Sequence, residues 1–119
     1  HASMAWNIVA YIQTTEWDAD SHRFAMKPNP DFMSQIKEVF SKDDIILVTC
    51  RSGDRSARAT DQMAAEGYKK VYTITDGFEG DMEKDEGSAF VGKRMVNGWK
   101  NSGAPWTYSL DPELIKITN

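Results

Sequence analysis

Residues 45–56, which read Ile-Ile-Leu-Val-Thr-Cys-Arg-Ser-Gly-Asp-Arg-Ser, decide the fold of this 119-residue chain. The four apolar residues at the start are typical of a strand that is buried on both faces within a parallel sheet. A polar loop follows, and a helix is predicted from Ser56 to about Glu66, with Gly67 as its stop. Residues 71–74 then predict a second strand. The order strand, loop, helix, strand predicts a βαβ crossover, with Cys50 in a loop at the carboxyl end of the first strand.

Before this unit, the sequence predicts a strand or buried segment over residues 4–12 and a polar loop over residues 13–29. Asn29-Pro30 then opens a helix, because asparagine is a good N-cap and proline is favoured at the first helical position. The apolar residues that follow have the spacing of one helix face: Phe32, Met33, Ile36, Val39 and Phe40.

After the Asp76-Gly77 turn, residues 81–92 are acidic and read as an excursion or lid. Residues 94–100 predict a last helix that ends at Ser102-Gly103, and Pro105 prevents its continuation. Residues 107–119 are expected to wrap over the surface in an extended form. The whole pattern predicts a single α/β domain over residues 1–119, in which helices flank a central, mainly parallel sheet.

Composition excludes several classes of function. The formal net charge is −4, which argues against a nucleic-acid partner, and no apolar run is long enough to span a membrane. A single cysteine excludes an intrachain disulfide and a multi-cysteine metal cage. His1 and His22 are the only histidines, and they are too few and too far apart in sequence for a metal site.

Cys50 stands where loop amides, a helix N-terminus and two arginines are expected to converge. Gly53 permits the backbone angles that turn the amides inward, and Arg51 and Arg55 flank the sulfur. Each feature favours the thiolate, which is the nucleophilic form of cysteine, and the same cradle suits a small anion. The alternative is that Cys50 is a small buried apolar residue, as lone cysteines usually are.

The run Cys50–Ser56 closely resembles the active loop of rhodanese-like domains. Further similarity lies in Gly67-Tyr68, in Val71-Tyr72 and in the turn Asp76-Gly77-Phe78-Glu79-Gly80. The segment Trp99–Pro105 resembles the closing helix and the glycine–proline exit of that family. The resemblance covers most of residues 1–106, and its loop is the most specific part.

This resemblance implies a rhodanese-like fold and a sulfurtransferase. Cys50 would carry sulfane sulfur as a persulfide, taken from a small sulfur-containing anion such as thiosulfate, or from a persulfide, and passed to a thiophilic acceptor. The residues that would bind the substrate are those of the loop: Arg51, Ser52, Gly53, Asp54, Arg55 and Ser56. No cofactor is implied. Both the cytoplasm and the bacterial periplasm suit such a protein.

The sequence departs from the family pattern at three places. The resemblance implies a strand and an Asp-Arg segment before the position that matches His1, and this sequence does not have them. Residues 81–96 resemble an insertion. Asp54 puts an acid into the anion cradle, which is expected to weaken the binding of dianions unless it turns outward and pairs with Arg51 or Arg58.

Two other functions stay open. A rhodanese-like fold can serve as a non-catalytic binding or sensing module, although such modules typically lose the cysteine. Cysteine-loop phosphatases and arsenate reductases place five residues between cysteine and arginine, whereas only four separate Cys50 from Arg55. The shorter loop favours a sulfur atom over a phosphoryl group.

Overall fold

The computed structural model describes residues 1–116, which form two α-helices and a larger number of mostly short strands. In chain order they are β1 (Asn7–Ile8), β2 (Tyr11–Asp18), β3 (Arg23–Pro28), α1 (Phe32–Val39), β4 (Ile45–Val48), α2 (Asp54–Ala65), β5 (Lys70–Thr73), β6 (Asp81–Met82), β7 (Arg94–Val96) and β8 (Ile115–Lys116). Single 3-10 turns lie at Lys100–Ser102 and Pro112–Leu114. The fold is therefore of mixed α/β content. Neither helix within this part of the chain is long and apolar enough to cross a membrane.

The predicted βαβ unit is present. β4 and β5 are parallel, in a register that runs from Ile45 opposite Lys70 to Val48 opposite Thr73. α2 connects them and begins at Asp54, two residues earlier than the sequence predicts, because Gly53 at φ 104° already turns the chain into the helix. The helix stops before Gly67, which also has a positive φ, of 99°. Cys50 consequently lies between the carboxyl end of a strand and the start of a helix.

The sequence predicts a central, mainly parallel sheet flanked by helices, and residues 1–116 do not form a single central sheet. The strands form four two-stranded pieces, of which β4–β5 and β1–β8 are parallel. Ile46 is only 6% exposed, whereas its neighbours Ile45 and Leu47 are 74% and 62% exposed. Successive side chains of a strand point to opposite faces, and α1 and α2 both pack on the Ile46 face. The other face carries an apolar stripe of Ile45, Leu47 and Tyr72.

The loop predicted over residues 13–29 is a hairpin. β2 and β3 are antiparallel, and Trp17 meets Phe24 edge to face at 5.3 Å between ring centroids. The carboxylate of Asp18 holds the turn by accepting from the amide of Asp20 at 3.0 Å and from the hydroxyl of Ser21 at 2.6 Å. The aspartates thus belong to a short turn, and the threonines and aromatic residues beside them favour strands.

α1 begins at Phe32, two residues after the predicted start. Asn29 closes a turn ahead of the helix: its side chain accepts from the amide of Asp31 at 3.0 Å and donates to the carbonyl of Val9 at 2.6 Å. The buried face of α1 then supplies Phe32 and Ile36 to the core. The other core residues are Ile46, Ala59, Met63 and Tyr68.

The helix predicted over residues 94–100 is wrong. Residues 94–96 form β7, which pairs with β6, and a 3-10 turn follows at Lys100–Ser102. Asn97 and Gly98 both have positive φ, of 58° and 86°, and therefore interrupt any helix at this point. The tail is extended apart from its own 3-10 turn, and β8 pairs with β1. Residues 117–119 of the predicted tail lie outside the described residues.

Candidate active site

The backbone of the loop after β4 turns its N–H groups toward the sulfur of Cys50. The Sγ atom accepts from the amide of Gly53 at 3.2 Å and from the amide of Ser56 at 3.3 Å. The Cys50 side chain is half-buried, so the sulfur keeps an open side for a reactant. Donors arranged in this way stabilise negative charge at the sulfur, and the thiolate is the nucleophilic form of cysteine.

The hydroxyl of Ser56 is the third group at the sulfur, 3.5 Å from Sγ. Ser56 is 2% exposed; its Oγ accepts from the hydroxyl of Thr73 at 2.9 Å and lies 3.0 Å from the carbonyl of Gly53. Since Ser56 has one hydroxyl hydrogen, it donates either to that carbonyl or to the sulfur. A protonated Cys50 can donate to Ser56, whereas a thiolate needs the hydrogen of Ser56 turned toward itself.

These contacts set the charge of the sulfur. Burial raises the pKa of the Cys50 thiol, but the Ser56 hydroxyl and the amides of Ser56, Gly53 and Ser52 lower it more, so the pKa lies below its usual value. The direction is the one that the sequence predicts. The groups that lower the pKa of Cys50 are neutral hydrogen-bond donors. Arg51 and Arg55, whose side chains are exposed, are not among them.

The turn at residues 76–80 holds the loop in place. The amide of Phe78 donates to the carbonyl of Cys50 at 2.6 Å, and the amide of Glu79 donates to the carbonyl of Arg51 at 2.8 Å. Gly77 has φ 69°, and a Cβ there would lie 2.6 Å from the amide nitrogen of Ser52. A Cβ on Gly53 would collide with the carbonyl oxygen of Thr75. Both glycines are therefore required by close backbone contacts.

The structure places the predicted substrate-binding residues differently. Gly53 and Ser56 are buried beside the sulfur, Ser52 is half-buried, and Arg51 and Arg55 are exposed at the rim. Asp54 is not inside the cradle: its side chain is 77% exposed, and its carboxylate lies 3.8 Å from the guanidinium of Arg58. The outward-facing alternative is thus the one observed, because Asp54 and Arg58 stand one turn apart on α2.

Two cavities lie beside the loop. The smaller, of about 270 Å³, is lined by Cys50, Arg55, Ser56 and mainly apolar residues of the segment from Ile8 to Tyr11 and of the core. The larger, a cleft of about 480 Å³, lies between the loop and the β2–β3 hairpin. Sequence reasoning missed the hairpin contribution, Tyr11 and Arg23, because it assigned most of this region to a loop. No local motif marks Arg23, and only the pairing of β3 with β2 brings it to the site.

The sequence is similar to a protein family and to several known proteins. A family model described as rhodanese-like domain matches residues 1–84. An uncharacterized protein of Rickettsia prowazekii is 37% identical over 78 residues, which are 66% of this chain and 52% of that protein. Two Arabidopsis thaliana proteins, thiosulfate sulfurtransferase 18 and chloroplastic thiosulfate sulfurtransferase 16, are 42% and 40% identical over 50 and 53 residues. These stretches are 42% and 44% of this chain, and 37% and 44% of those proteins. The matched part of the chain thus spans about half the length of these curated relatives, or less.

Proposed function

The chain belongs to the rhodanese-like domain family, and from that premise we propose that it is a sulfurtransferase that carries sulfane sulfur on Cys50 as a persulfide. The observation that carries the proposal is the geometry at the sulfur: the amides of Gly53 and Ser56 donate to Sγ within 3.3 Å, and the Ser56 hydroxyl lies 3.5 Å away, where it can donate to a thiolate. These donors favour the thiolate, and a thiolate needs no general base in order to attack a sulfur atom.

In the first half-reaction, the thiolate of Cys50 attacks the outer sulfur of thiosulfate. A bond forms between Sγ and that sulfur, and the S–S bond of thiosulfate breaks with its electron pair leaving on sulfite. No proton is needed, and Cys50 becomes a persulfide anion. The amides that face Sγ are also suited to hold the anionic terminal sulfur.

In the second half-reaction, a thiophilic acceptor attacks the terminal sulfur. The bond between Sγ and that sulfur breaks, and its electron pair returns to Cys50 as the thiolate. The protein thus alternates between two covalent states, as in ping-pong kinetics. The donor set at Cys50 favours this role over a non-catalytic binding module, which has no use for an activated nucleophile.

We expect the purified protein to gain the mass of one sulfur atom when it is incubated with thiosulfate, and to form thiocyanate when cyanide is added. Cys50→Ser is nearly isosteric, so it should retain the fold, gain no sulfur and form no thiocyanate. Intact-mass spectrometry and a colorimetric thiocyanate assay measure the two results, and far-ultraviolet circular dichroism checks the fold. The proposal would be contradicted if Cys50→Ser gained sulfur. It would also be contradicted if neither thiosulfate nor an organic persulfide loaded sulfur onto the wild-type protein.

A further inference from the structure

We infer that the β2–β3 hairpin completes a second part of this site, in which Arg23 binds the carboxylate or phosphate groups of an organic thiol that accepts sulfur from Cys50. The inference rests on the proposed sulfurtransferase function and extends it to the class of acceptor. It comes from the cleft between the hairpin and the active loop, and no sequence motif assigns the hairpin side of this cleft to the site.

The cleft concentrates positive charge in a chain of net negative charge. Its lining includes four arginines and two carboxylates, which are Arg23, Arg51, Arg55, Arg58, Asp18 and Asp54. The Asp54 carboxylate pairs with Arg58, and that of Asp18 accepts hydrogen bonds from its own turn. Asp18 is the register partner of Arg23 and forms no ion pair with it, and the charge of Arg23 is the weakest of the effects that lower the pKa of Asp18, after the hydrogen bonds from Ser21 and Asp20. Within residues 1–116, Arg23, Arg51 and Arg55 thus keep their guanidinium groups available for an anion.

The two cavities at the loop share Tyr11 and Arg55 in their linings, so only these side chains need to move for one ligand to reach both. The smaller cavity reaches Cys50 and has mostly apolar walls, which suit the hydrocarbon part of an organic thiol. Guanidinium groups in the cleft suit carboxylate or phosphate oxygens, which they bind through paired hydrogen bonds. Thiosulfate and cyanide are too small to occupy both spaces together. The geometry therefore points to a larger acceptor, with its thiol at Cys50 and its anionic groups at Arg23.

The transfer to this acceptor balances without a further reactant. The thiolate of the acceptor attacks the terminal sulfur of the Cys50 persulfide, and a new S–S bond forms. The bond between that sulfur and Sγ breaks, and the electron pair stays on Cys50. The products are the acceptor persulfide and the Cys50 thiolate.

The first test does not require sulfur transfer. Alkylation of Cys50 by iodoacetamide is measured in the unloaded protein with increasing succinate or inorganic phosphate, at constant ionic strength. We expect one or both anions to protect Cys50, and Arg23→Gln to raise the protecting concentration about threefold or more, which is the size of an exposed ion pair. The matched control is Lys27→Gln, which removes the same charge from an exposed position of β3 outside the cleft. Protection of Cys50 by succinate would identify carboxylate as the group bound, and protection by inorganic phosphate would identify phosphate.

The second test uses the sulfur-loaded protein with mercaptosuccinate, which carries two carboxylates, and with uncharged 2-mercaptoethanol. The ratio of kcat/KM for mercaptosuccinate to that for 2-mercaptoethanol should fall about threefold in Arg23→Gln and stay constant in Lys27→Gln. If the wild-type protein never loads sulfur, the proposed function fails. The alkylation test then still decides whether Arg23 binds an anion beside Cys50. Absence of protection by both anions, or equal protection in Arg23→Gln and Lys27→Gln, would overturn this inference.

Discussion

At Cys50, uncharged donors lie against the sulfur, and the arginines of the same loop stand at its rim. Activation by neutral donors at contact distance differs physically from activation by distant charges, because salt screens only the latter effectively. The reactivity of Cys50 should therefore depend little on ionic strength. The binding of an anion by exposed arginines should depend on it strongly. In the proposed function, the loop thus separates the activation of Cys50 from the attraction of an anion.

Ser56→Ala tests the activation. The substitution removes the hydroxyl that lowers the pKa of Cys50, so the pKa should rise and less thiolate should be present at neutral pH. Iodoacetamide alkylation should be slower near pH 7, and the difference should vanish at high pH, where the thiol is fully ionised in both proteins. The rate measured against pH gives the midpoint, which we expect below about 8.5 for the wild type, the value of a free thiol.

Ser52→Ala is the matched control, because it removes a serine hydroxyl from the same loop while the Ser52 amide, which contributes to the lowering, remains. Its alkylation midpoint should stay at the wild-type pH. Equal midpoints for Ser56→Ala and the wild type would contradict the role of the hydroxyl.

Among the elements, those around Cys50 could be predicted because local signals agree there. An apolar run, a glycine and an amphipathic helix specify β4, the loop and α2 together. The β2–β3 hairpin was missed because two aspartates and a proline suggested a loop, although the aspartates lie at the turn and Pro28 ends β3. The exposed face of β4 could not be predicted either. A continuous apolar run specifies a strand, but it does not specify how many of its faces are covered.

The contact between the 76–80 turn and the active loop gives a prediction at this scale. Gly77→Ala should lower the free energy of unfolding by about 1–3 kcal/mol more than Gly92→Ala does, because only the Cβ at position 77 meets neighbouring backbone. The two positions are matched in backbone conformation, with φ of 69° and 77°, so the strain of positive φ is common to both. Urea denaturation measures the difference. Equal losses of unfolding free energy in Gly77→Ala and Gly92→Ala would show that the turn and the loop are not in close backbone contact.

For the whole molecule, a small core unites both helices with β4. Its fully buried apolar members within residues 1–116 are few, and Met63, at 0% exposure, is the most buried. The Cα radius of gyration is 15.6 Å, which is above the roughly 13.5 Å expected of a compact domain of this length. The few buried residues therefore carry a large share of the stability.

Met63→Ala should lower the free energy of unfolding by about 2–5 kcal/mol, the usual range for a fully buried methionine, and lower the midpoint of urea denaturation accordingly. Met82→Ala serves as the comparison, because Met82 is 48% exposed. This substitution removes the same atoms from the surface of the protein. If Met63→Ala lowered the free energy of unfolding by less than about 1 kcal/mol, the cluster around Met63 would not be the main stabilising core.

The cradle at Cys50 is held mainly by main-chain groups, which every residue except proline brings with it. Over evolutionary time, the exposed positions 51 and 55 are therefore free to change the anion preference of the proposed site while the main-chain donors to Cys50 remain in place. Gly53 and Gly77 set the limit of this freedom, because no side chain fits at either. In the proposed sulfurtransferase, selectivity and reactivity would thus be inherited separately, and single substitutions at the rim of the loop would change the substrate.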